Sequence, residues 1–378
     1  MSTRYHLIRN ARYFDGNNLT GPATVQFYGD DFLGAFGKDH HLQGAAEIDL
    51  GGDILFAGYV DLQVNGGDGI LFNSTPNCDG LRRMAKAHRR LGTTAFLPTL
   101  ITDTPEVTCA AITATRDAIA AQVNEIAGLH LEGPHLSAAR KGAHDGELIR
   151  SMTEQDLALY LDAAAALPCL KLTIAPESVT EDQVAQLARA GVILSLGHTD
   201  ADYDTCLRYF KAGVRATTHL FNAMSQLNSR EPGLVGATLG TGSVSAGVIA
   251  DGVHVHPVSL RAAWDAKKGP CGLFLVTDAM AVAGSDLTEF DLCGRRITRK
   301  DGILTLGDGT LAGADLDLTR AVKVMVEDVG ISLVDALRAA TSTPAALIGL
   351  SYEQGPLQRM MRLSTGTWTL TPMENDLT

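Results

Sequence analysis

Residues 170–199 read LKLTIAPESVTEDQVAQLARAGVILSLGHT, and this stretch predicts one strand–helix–strand unit. The apolar runs 170–175 and 192–196 predict two buried strands. Between them, Thr180-Glu-Asp182 is typical of a helix start, and the segment 180–190 is amphipathic. Because two strands joined by a helix lie parallel in one sheet, the unit predicts an α/β fold.

The same alternation of strand and helix extends over most of the chain. Eight apolar runs predict strands, at 54–60, 94–97, 126–131, 170–175, 192–196, 214–219, 244–250 and 272–277. Six longer amphipathic or Ala-rich stretches predict helices, at 78–91, 105–122, 153–166, 180–190, 201–212 and 256–267. Eight parallel strands with helical crossovers favour a (β/α)8 TIM-like barrel over an open doubly wound sheet. A dinucleotide site is not indicated, because Gly66, Gly67 and Gly69 lack the required spacing.

The two ends of the chain have a different, β-rich pattern. No helical segment of useful length is predicted before residue 78, and the last twenty residues return to a β-like composition. After the eighth barrel strand, the sequence predicts hairpin strands at 289–292, 296–298 and 303–306, and helices at 315–329, 331–340 and 343–350. We therefore expect a barrel of residues 54–350 and a small β-sandwich domain built from residues 1–53 and 351–378.

The composition of the chain limits its possible partners. The chain has 378 residues, 45% of them hydrophobic, with 43 acidic and 31 basic side chains and a formal net charge of −12. This balance indicates a globular protein and disfavours binding to nucleic acid or an anionic membrane, which need a basic face. An anionic small molecule would need a local cluster of Arg, Lys or His.

Cysteine usage and hydropathy predict a cytoplasmic location. The 6 cysteines form no CxxC pair and are expected to be reduced thiols. The first ten residues lack the apolar region of a signal peptide, and no apolar run approaches the ~20 residues needed to span a bilayer.

Polar residues gather where the predicted strands end. The ends of six strands read Asp61-x-Gln63-x-Asn65, His130-x-Glu132, Gly197-His198, His219-x-x-Asn222, Asp251-x-x-His254 and Thr277-Asp278. In such barrels the active site is formed by the carboxyl ends of the strands and the loops after them. Because isolated buried polar groups are costly, six such ends on one rim predict a site.

Three of these residues, Glu132, His198 and His219, are candidate metal ligands. Two imidazoles and one carboxylate leave an open position for water, as in hydrolytic zinc sites. A single histidine at a strand end is more often a hydrogen-bonded core residue, but three ligands at equivalent ends of strands three, five and six favour a metal. His130 lies one layer deeper, so we expect it in the core. Four further histidines are expected at the surface: His6, His40, His41 and His88.

Asp278, at the end of the eighth strand, is the candidate general base. A metal ion lowers the pKa of its bound water to ~7, so a nearby carboxylate can accept the proton at neutral pH. The alternative is a carboxylate that caps the following turn. The apolar continuation 279–283 and the position in the barrel favour catalysis.

Seven motifs, in unbroken order, resemble those of a known family. They are Asp61-x-Gln63-x-Asn65-Gly66, His130-Leu-Glu132-Gly-Pro134, Gly197-His198-Thr199, Thr218-His219-Leu-Phe-Asn222, Arg230-Glu-Pro-Gly233, Ala250-Asp-Gly-Val-His254 and Val276-Thr-Asp278-Ala279. From about residue 50 to about residue 350, the chain resembles the N-acetylglucosamine-6-phosphate deacetylases of the amidohydrolase superfamily.

The resemblance implies a metal-dependent hydrolase of amino-sugar metabolism that converts N-acetyl-D-glucosamine 6-phosphate to D-glucosamine 6-phosphate and acetate. It implies that Glu132, His198 and His219 hold the catalytic metal. Asp278 would deprotonate the metal-bound water and then pass the proton to the departing amine. His144 would polarise the acetamide carbonyl as the oxyanion forms.

The resemblance also implies a set of substrate contacts and an assembly. Arg230 and His254 would bind the phosphate, with Arg230 reaching the site of the second subunit in a homodimer. The other expected contacts are Gln63, Ala143, Asn222, Ala223, Leu311, Ala312 and Gly313, the last three lining the acetyl pocket.

Two departures from the wider superfamily bear on these expectations. Many members carry His-x-His at the end of strand one and hold a second metal there, whereas this chain has Gln63 and Asn65. The replacement implies one divalent ion per subunit, with zinc as the first choice and Fe2+ or another divalent ion as the alternative. The usual turn of the small domain is not recognisable in residues 360–367, which leaves the pairing of the last strands open.

Three other functions compete with this interpretation. A cyclic-amide hydrolase would need the His-x-His pair and a modified lysine at the end of strand four, which instead reads Ala175-Pro176-Glu177. A non-enzymatic sugar-phosphate sensor would be expected to lack Asp278 or a metal ligand. A deacetylase for the galactosamine epimer differs only in contacts to one hydroxyl, so that alternative stays open.

Overall fold

The computed structural model describes residues 4–352 and 355–376. Its strands are β1 (Tyr5–Phe14), β2 (Leu19–Tyr28), β3 (Asp31–Gly37), β4 (Ala46–Asp49), β5 (Ile54–Phe56), β6 (Tyr59–Val64), β7 (Gly66–Gly67), β8 (Ile70–Leu71), β9 (Thr93–Ile101), β10 (Leu129–Glu132), β11 (Leu170–Ile174), β12 (Ile193–Leu196), β13 (Ala216–Thr217), β14 (Ser245–Val248), β15 (Leu273–Leu275), β16 (Glu289–Leu292), β17 (Arg295–Lys300), β18 (Ile303–Leu306), β19 (Met361–Ser364) and β20 (Thr369–Pro372).

The α-helices are α1 (Cys78–Arg90), α2 (Pro105–Ala120), α3 (Glu154–Ala166), α4 (Glu181–Arg189), α5 (Tyr203–Ala212), α6 (Gly233–Gly240), α7 (Pro257–Ala266), α8 (Leu318–Glu327), α9 (Leu333–Ala339) and α10 (Ser342–Leu347). Short 3-10 helices lie at Ala138–Arg140, Leu357–Arg359 and Met373–Asn375.

A sheet of eight strands, β6 and β9 to β15, forms the barrel. Each strand runs parallel to the next along the chain. The first and last strands meet through the backbone that follows them. Val64 bridges Ala279, and Asp278 N donates a hydrogen bond to Gln63 O at 3.0 Å. The predicted (β/α)8 barrel is confirmed, and the closure brings the ends of strands one and eight together.

The crossover helices begin at the capping residues that the sequence predicts. The Thr180 side chain accepts from Gln183 N, and the Gln183 side-chain oxygen accepts from Thr180 N, which completes a capping box for α4. Val184 and Leu187 on this helix are fully buried. The amphipathic stretch 180–190 therefore covers the outside of the barrel with its apolar face.

The two chain ends form a second sheet. Its strand order is β20-β19-β5-β1-β2-β3, with β4 pairing on β1, so the predicted small β domain from both ends is confirmed. The sequence predicts one strand at 54–60, but this prediction is wrong, because the run forms two strands. Ile54–Phe56 lies in this second sheet, and the barrel begins at Tyr59. Gly58, at φ +88°, lies between the two strands.

The pairing of the last strands, which the sequence leaves open, is antiparallel. Met361 on β19 pairs with Phe56 on β5, and β20 then pairs with β19. The expected domain boundaries at 53/54 and 350/351 stay a proposal. In the structure, the chain leaves the second sheet after Phe56. Residues 1–3, 353–354 and 377–378 of the expected small domain lie outside the described residues.

The predicted hairpin strands after the barrel are also present. Strands β16, β17 and β18 form a small antiparallel sheet. Its apolar residues Leu292, Ile297 and Leu304 form a cluster with Met280 and Ala312, which follow the eighth barrel strand. This sheet therefore packs against the end of the barrel where the polar strand ends lie.

Two of the four histidines expected at the surface are buried. His88 lies on the inner face of α1, 1% exposed, and its Nε2 is 2.8 Å from Gly66 O. His6 is 8% exposed within β1. For His88 the physical cause is that a polar residue on an inward face is tolerated where it finds a hydrogen bond. His6 has no such explanation, since its Nδ1 has no hydrogen-bond partner among the described residues. His40 is half-buried and His41 exposed.

Two further features concern the helices and the cysteines of the described residues. No helix there has the length and apolar character that crossing a membrane requires. The 6 cysteines, all within these residues, are free.

Candidate active site

The three candidate ligands converge at the carboxyl ends of neighbouring strands. Glu132 ends β10, His198 follows β12, and His219 follows β13. Glu132 Oε1 lies 3.2 Å from His198 Nε2 and 3.0 Å from His219 Nε2, and the two Nε2 atoms are 3.1 Å apart. All three side chains are buried, and they are the only group in the described part of the chain with the spacing of a metal site.

The hydrogen bonds of His198 test whether a metal fits. Its Nδ1 is 2.8 Å from Arg140 O, and since a carbonyl oxygen can only accept, Nδ1 carries the proton. In the neutral ring the lone pair of Nε2 therefore faces Glu132 and His219, whereas in the doubly protonated ring the same atom donates to Glu132. A carboxylate and two imidazole nitrogens packed this closely repel one another unless a cation or proton lies among them. The donor set and the fixed tautomer both fit a divalent ion.

The three clustered side chains shift one another's pKa values. Burial opposes ionisation of Glu132, but hydrogen bonds from His198 and His219 outweigh it and hold its pKa well below the ordinary value. Burial likewise lowers the pKa of His219, but the bond to Glu132 and the charge of that carboxylate outweigh burial and raise it. Each partner thus favours the charged form of the other, so Glu132 is ionised and the cluster attracts positive charge, which either a proton on His219 or a divalent ion held by all three side chains would supply.

Asp278 follows β15 and is held by two amides from strand one. Its Oδ1 accepts from Asn65 Nδ2 at 2.6 Å and from Gln63 Nε2 at 3.2 Å. Gln63 Nε2 also lies 3.2 and 3.1 Å from the two carboxylate oxygens of Glu132. Burial, together with the charge of Glu132, raises the pKa of Asp278. The second oxygen, Oδ2, has no hydrogen-bond partner among the described residues and is available to accept a proton.

The backbone at these residues is strained. His198, His219 and Asp278 have φ angles of 48°, 27° and 52°, in the left-handed region that residues other than glycine rarely adopt. Such strain costs of order 1–3 kcal/mol per residue and persists where the surrounding structure enforces it. Its coincidence at three strand ends supports a functional site.

A cavity of about 260 Å³ opens over the cluster. The predicted residues that line it are Glu132, Ala143, His144, His198, His219, Asn222, Ala223, His254, Asp278, Leu311, Ala312 and Gly313. Gln63 lies beneath the cavity and is 1% exposed. Its Nε2 donates to Glu132 and Asp278, which line the cavity. Leu292 of the β16–β18 sheet closes one side.

His144 is a neutral hydrogen-bond donor. Thr102 N donates to its Nδ1 at 3.3 Å, and a backbone N–H cannot accept, so the ring proton resides on Nε2. Burial, and then the charge of His198, lowers the pKa of His144 to about 3. The ring can therefore donate from Nε2 without carrying charge. Arg295 on β17 donates to the carbonyl of the preceding Ala143 and holds this loop.

Arg230, unlike the other predicted site residues, lies away from the cavity. It lies exposed in the loop before α6. Its neighbour Glu231 does not pair with it, because Glu231 Oε1 accepts from Tyr203 N at 2.8 Å and Gly233 N at 3.0 Å. Within the described residues, no ion pair of Arg230 is present.

Sequence reasoning assigned no role to three residues that support the site, although it placed Asn65 and Asp251 at the rim. Asn65, which was noted only at the rim, holds Asp278. Thr102 fixes the tautomer of His144, and Asp251 binds the His254 ring at 2.6 Å. The spacing Asp61-x-Gln63-x-Asn65 places Gln63 and Asn65 on one face of a strand and could have indicated Asn65. No local pattern indicates Thr102.

An eight-stranded parallel barrel with a Glu–His–His cluster at its strand ends is the architecture of hydrolases that use a metal ion. The amidohydrolase family model matches residues 54–358. The chain belongs to the amidohydrolase family.

Proteins similar to this chain carry specific activities in their names. The N-acetylgalactosamine-6-phosphate deacetylase of Shewanella sp. (strain ANA-3) is 47% identical over 78% of this chain and 74% of that protein. The N-acetylglucosamine-6-phosphate deacetylase of Haemophilus influenzae is 36% identical over 84% and 82%. The crystal structure of the N-acetylglucosamine-6-phosphate deacetylase from Pasteurella multocida superimposes with a TM-score of 0.89 at 32% identity, covering 96% of each chain. The resemblance stated from the seven motifs is confirmed.

Proposed function

We propose that this chain removes acetate from an N-acetylated amino-sugar 6-phosphate, and that its substrate is N-acetyl-D-glucosamine 6-phosphate. The observation that carries the proposal is the cavity in which the Glu132–His198–His219 cluster, Asp278 and His144 meet. The metal ligands, the general base and the hydrogen-bond donor to the oxyanion that an amide hydrolysis needs all face this cavity. The names of the similar proteins supply the substrate class.

Glu132, His198 and His219 would hold one divalent ion, zinc being our first choice. A bound ion supplies Lewis-acid activation of water and of the acetamide carbonyl. The amides of Gln63 and Asn65 support a single ion, because they direct N–H groups toward the carboxylates of Glu132 and Asp278 where a second cation would need acceptors.

Asp278 and His144 would carry the proton transfer and the charge of the oxyanion. With Oδ1 of Asp278 occupied by two amide donors, Oδ2 is the atom that takes the proton of the attacking water and passes it to the amine nitrogen as the C–N bond breaks. The N–H at Nε2 of His144 would donate to the carbonyl oxygen as negative charge develops there.

Sugar and acetyl groups would occupy opposite parts of the cavity. Asn222 and Ala223 would contact the sugar, and the backbone of 311–313 the acetyl methyl. Gly313 supports this, because a Cβ there would approach Met280 Cγ at 2.4 Å, so the position admits only a glycine beside the cavity. The phosphate would be bound by His254 and Arg230.

Arg230 would act across a homodimer. Its exposure and the engagement of Glu231 elsewhere leave a guanidinium ready for a phosphate, which matches its planar fork. The exposed Leu227, in the same loop, and Val258 on α7 supply apolar surface of the kind that a subunit interface buries. We place the enzyme in the cytoplasm, in agreement with its free thiols.

N-Acetyl-D-galactosamine 6-phosphate is the second candidate substrate. The observation in its favour is the 47% identity to a deacetylase named for that epimer, against 36% for the relative named for the glucosamine compound.

Acetate release from both epimers, each followed over a range of concentrations, tests the proposal. We expect faster turnover of N-acetyl-D-glucosamine 6-phosphate at low concentration. A higher kcat/KM for the galactosamine epimer would reverse the order of the two candidates. Absence of acetate from both, with metal-loaded protein, would overturn the deacetylase assignment.

A further inference from the structure

A buried histidine–carboxylate pair lies at the edge of the cavity, after β14. His254 Nδ1 is 2.6 Å from Asp251 Oδ2, and the two side chains are 7% and 3% exposed. The other oxygen, Asp251 Oδ1, accepts from Val253 N and His254 N, each at 2.8 Å. One carboxylate thus holds both the turn and the ring.

The pair determines which nitrogen of His254 faces the cavity. Burial tends to raise the pKa of Asp251, but the hydrogen bond and charge of His254 outweigh it and keep it below the ordinary value. An ionised carboxylate only accepts, so Nδ1 of His254 carries a proton. His254 lines the cavity, and its Nε2 has no partner in the part of the chain that the structure describes. Nε2 is therefore the ring atom available to a ligand.

The protonation state of Nε2 decides what it can bind. If the ring is neutral with its proton on Nδ1, Nε2 offers a lone pair, which repels an anionic oxygen. If the ring is doubly protonated, Nε2 donates a charge-assisted hydrogen bond. With Nδ1 donating to Asp251, an anionic oxygen can be bound at Nε2 only if that atom also carries a proton. Facing the ring are Asp251 on its own turn and, across the cavity, Asp278, Glu132, His144, His198 and His219.

We propose that Asp251 is a positioning residue for recognition of the phosphate group, holding His254 so that the ring in the complex is protonated on both nitrogens and donates Nε2–H to a phosphate oxygen. The inference rests on the proposed function, because that function supplies the phosphate.

Asp251→Asn separates the charge of the carboxylate from its turn-forming role. The Asn oxygen can still accept from Val253 N and His254 N, because Asn and Asp form the same turn. Its amide N–H2 then meets Nδ1 and stabilises the neutral ring with a proton on Nε2. The donor to the phosphate survives without its positive charge, and charge-assisted bonds are about twice as strong as neutral ones.

The expected result is a split between KM and kcat. KM for the 6-phosphorylated sugar should rise about tenfold, with kcat changed less than about threefold. Asp15→Asn is the matched control, since Asp15 Oδ1 accepts from Asn17 N and Asn18 N in the same kind of turn on the small sheet. That variant should leave both constants unchanged.

A second readout compares two ligands. Binding of D-glucosamine 6-phosphate and of D-glucosamine is measured by calorimetry in the unaltered enzyme and in both variants. We expect Asp251→Asn to bind the phosphorylated sugar about tenfold more weakly and D-glucosamine unchanged, and Asp15→Asn to bind both as the unaltered enzyme does. A merely structural role of Asp251 would weaken binding of both ligands alike.

Three results would overturn the inference: an unchanged KM in Asp251→Asn, an equal rise in KM for unphosphorylated N-acetylglucosamine, or the same affinity for D-glucosamine 6-phosphate in all three proteins. If the unaltered enzyme deacetylates neither epimer, the proposed function fails. The calorimetric comparison then still tests the Asp251–His254 pair: weaker binding of D-glucosamine 6-phosphate alone in Asp251→Asn supports it, and equal binding in all three proteins contradicts it.

Discussion

Replacing Asp278 by Asn should abolish nearly all turnover while leaving the site in place. In the structure, Oδ1 of Asp278 accepts from Asn65 and Gln63, and only Oδ2 is free. An Asn at this position can present its own oxygen to both donors, so the side chain keeps its orientation. The single property lost is the ability of the second atom to accept a proton.

The size of the effect follows from that loss. General acid–base assistance contributes about 10²–10⁴-fold, which corresponds to about 3–5 kcal/mol of transition-state stabilisation. We expect kcat to fall by this factor, and KM to stay within about threefold because the phosphate and sugar contacts are unchanged. The bound metal should remain, since the candidate ligands are Glu132, His198 and His219.

The assay is acetate release at neutral pH, with metal content of each protein determined by mass spectrometry. Asp15→Asn, which removes a carboxylate from a turn of the small sheet, is the control for a general effect of the lost charge. Activity of Asp278→Asn close to that of the unaltered enzyme, with full metal content, would refute the role of Asp278 as base. An inactive variant that has also lost its metal would show that Asp278 holds the ion.

Three further predictions concern the loop, the metal and the barrel interior. Arg230→Ala should raise KM for the phosphorylated sugar at least about tenfold. Mixing this variant with Asp278→Asn should restore activity, because one intact site can form from two chains. An inactive mixture despite proven subunit exchange would contradict the proposal that Arg230 acts in the site of the second subunit. Chelation should abolish activity and lower the melting temperature, and about one divalent ion per chain should restore both; two tightly held ions would contradict the role given to the strand-one amides. Lys171 is fully buried, and burial lowers its pKa to about 8 from 10.5. As the pH rises, the folded chain therefore releases the Lys171 proton before the unfolded chain does. The charged lysine lowers the free energy of unfolding by up to about 3 kcal/mol below pH 8, and this cost fades by pH 10.5. Lys171→Met should therefore gain unfolding free energy in urea titrations at pH 7 and less at pH 10, and a loss at pH 7 would contradict this.

Much of the site could be predicted because a barrel converts local order into spatial order. Each strand carries its last polar residues to the same rim, so Glu132, His198 and His219 meet although 66 and 87 positions separate Glu132 from the two histidines. Strand and helix periods are local properties, and the capping box at Thr180 is complete within four residues. The barrel, its site-bearing end and most of the cavity lining follow from such patterns.

Other features depend on contacts that no local pattern carries. The run 54–60 is uniformly apolar, and only the pairing of Phe56 with Met361 assigns its first half to the small sheet. His88 has the helical position of an inner residue, but its burial depends on the carbonyl of Gly66. The direction of the Asn65 amide is set by Asp278, 213 positions away.

The sequence by itself determined the barrel, the β-rich chain ends and the set of polar strand ends, because periodicity and residue type are read along the chain. Only the tertiary structure decided which atoms of those residues remain available. Oδ2 of Asp278, Nε2 of His254 and the guanidinium of Arg230 are free because distant groups, or a turn closed by folding, occupy the alternatives. Hydrogen bonds are short and directional, so each such assignment depends on positions known only once the chain has folded.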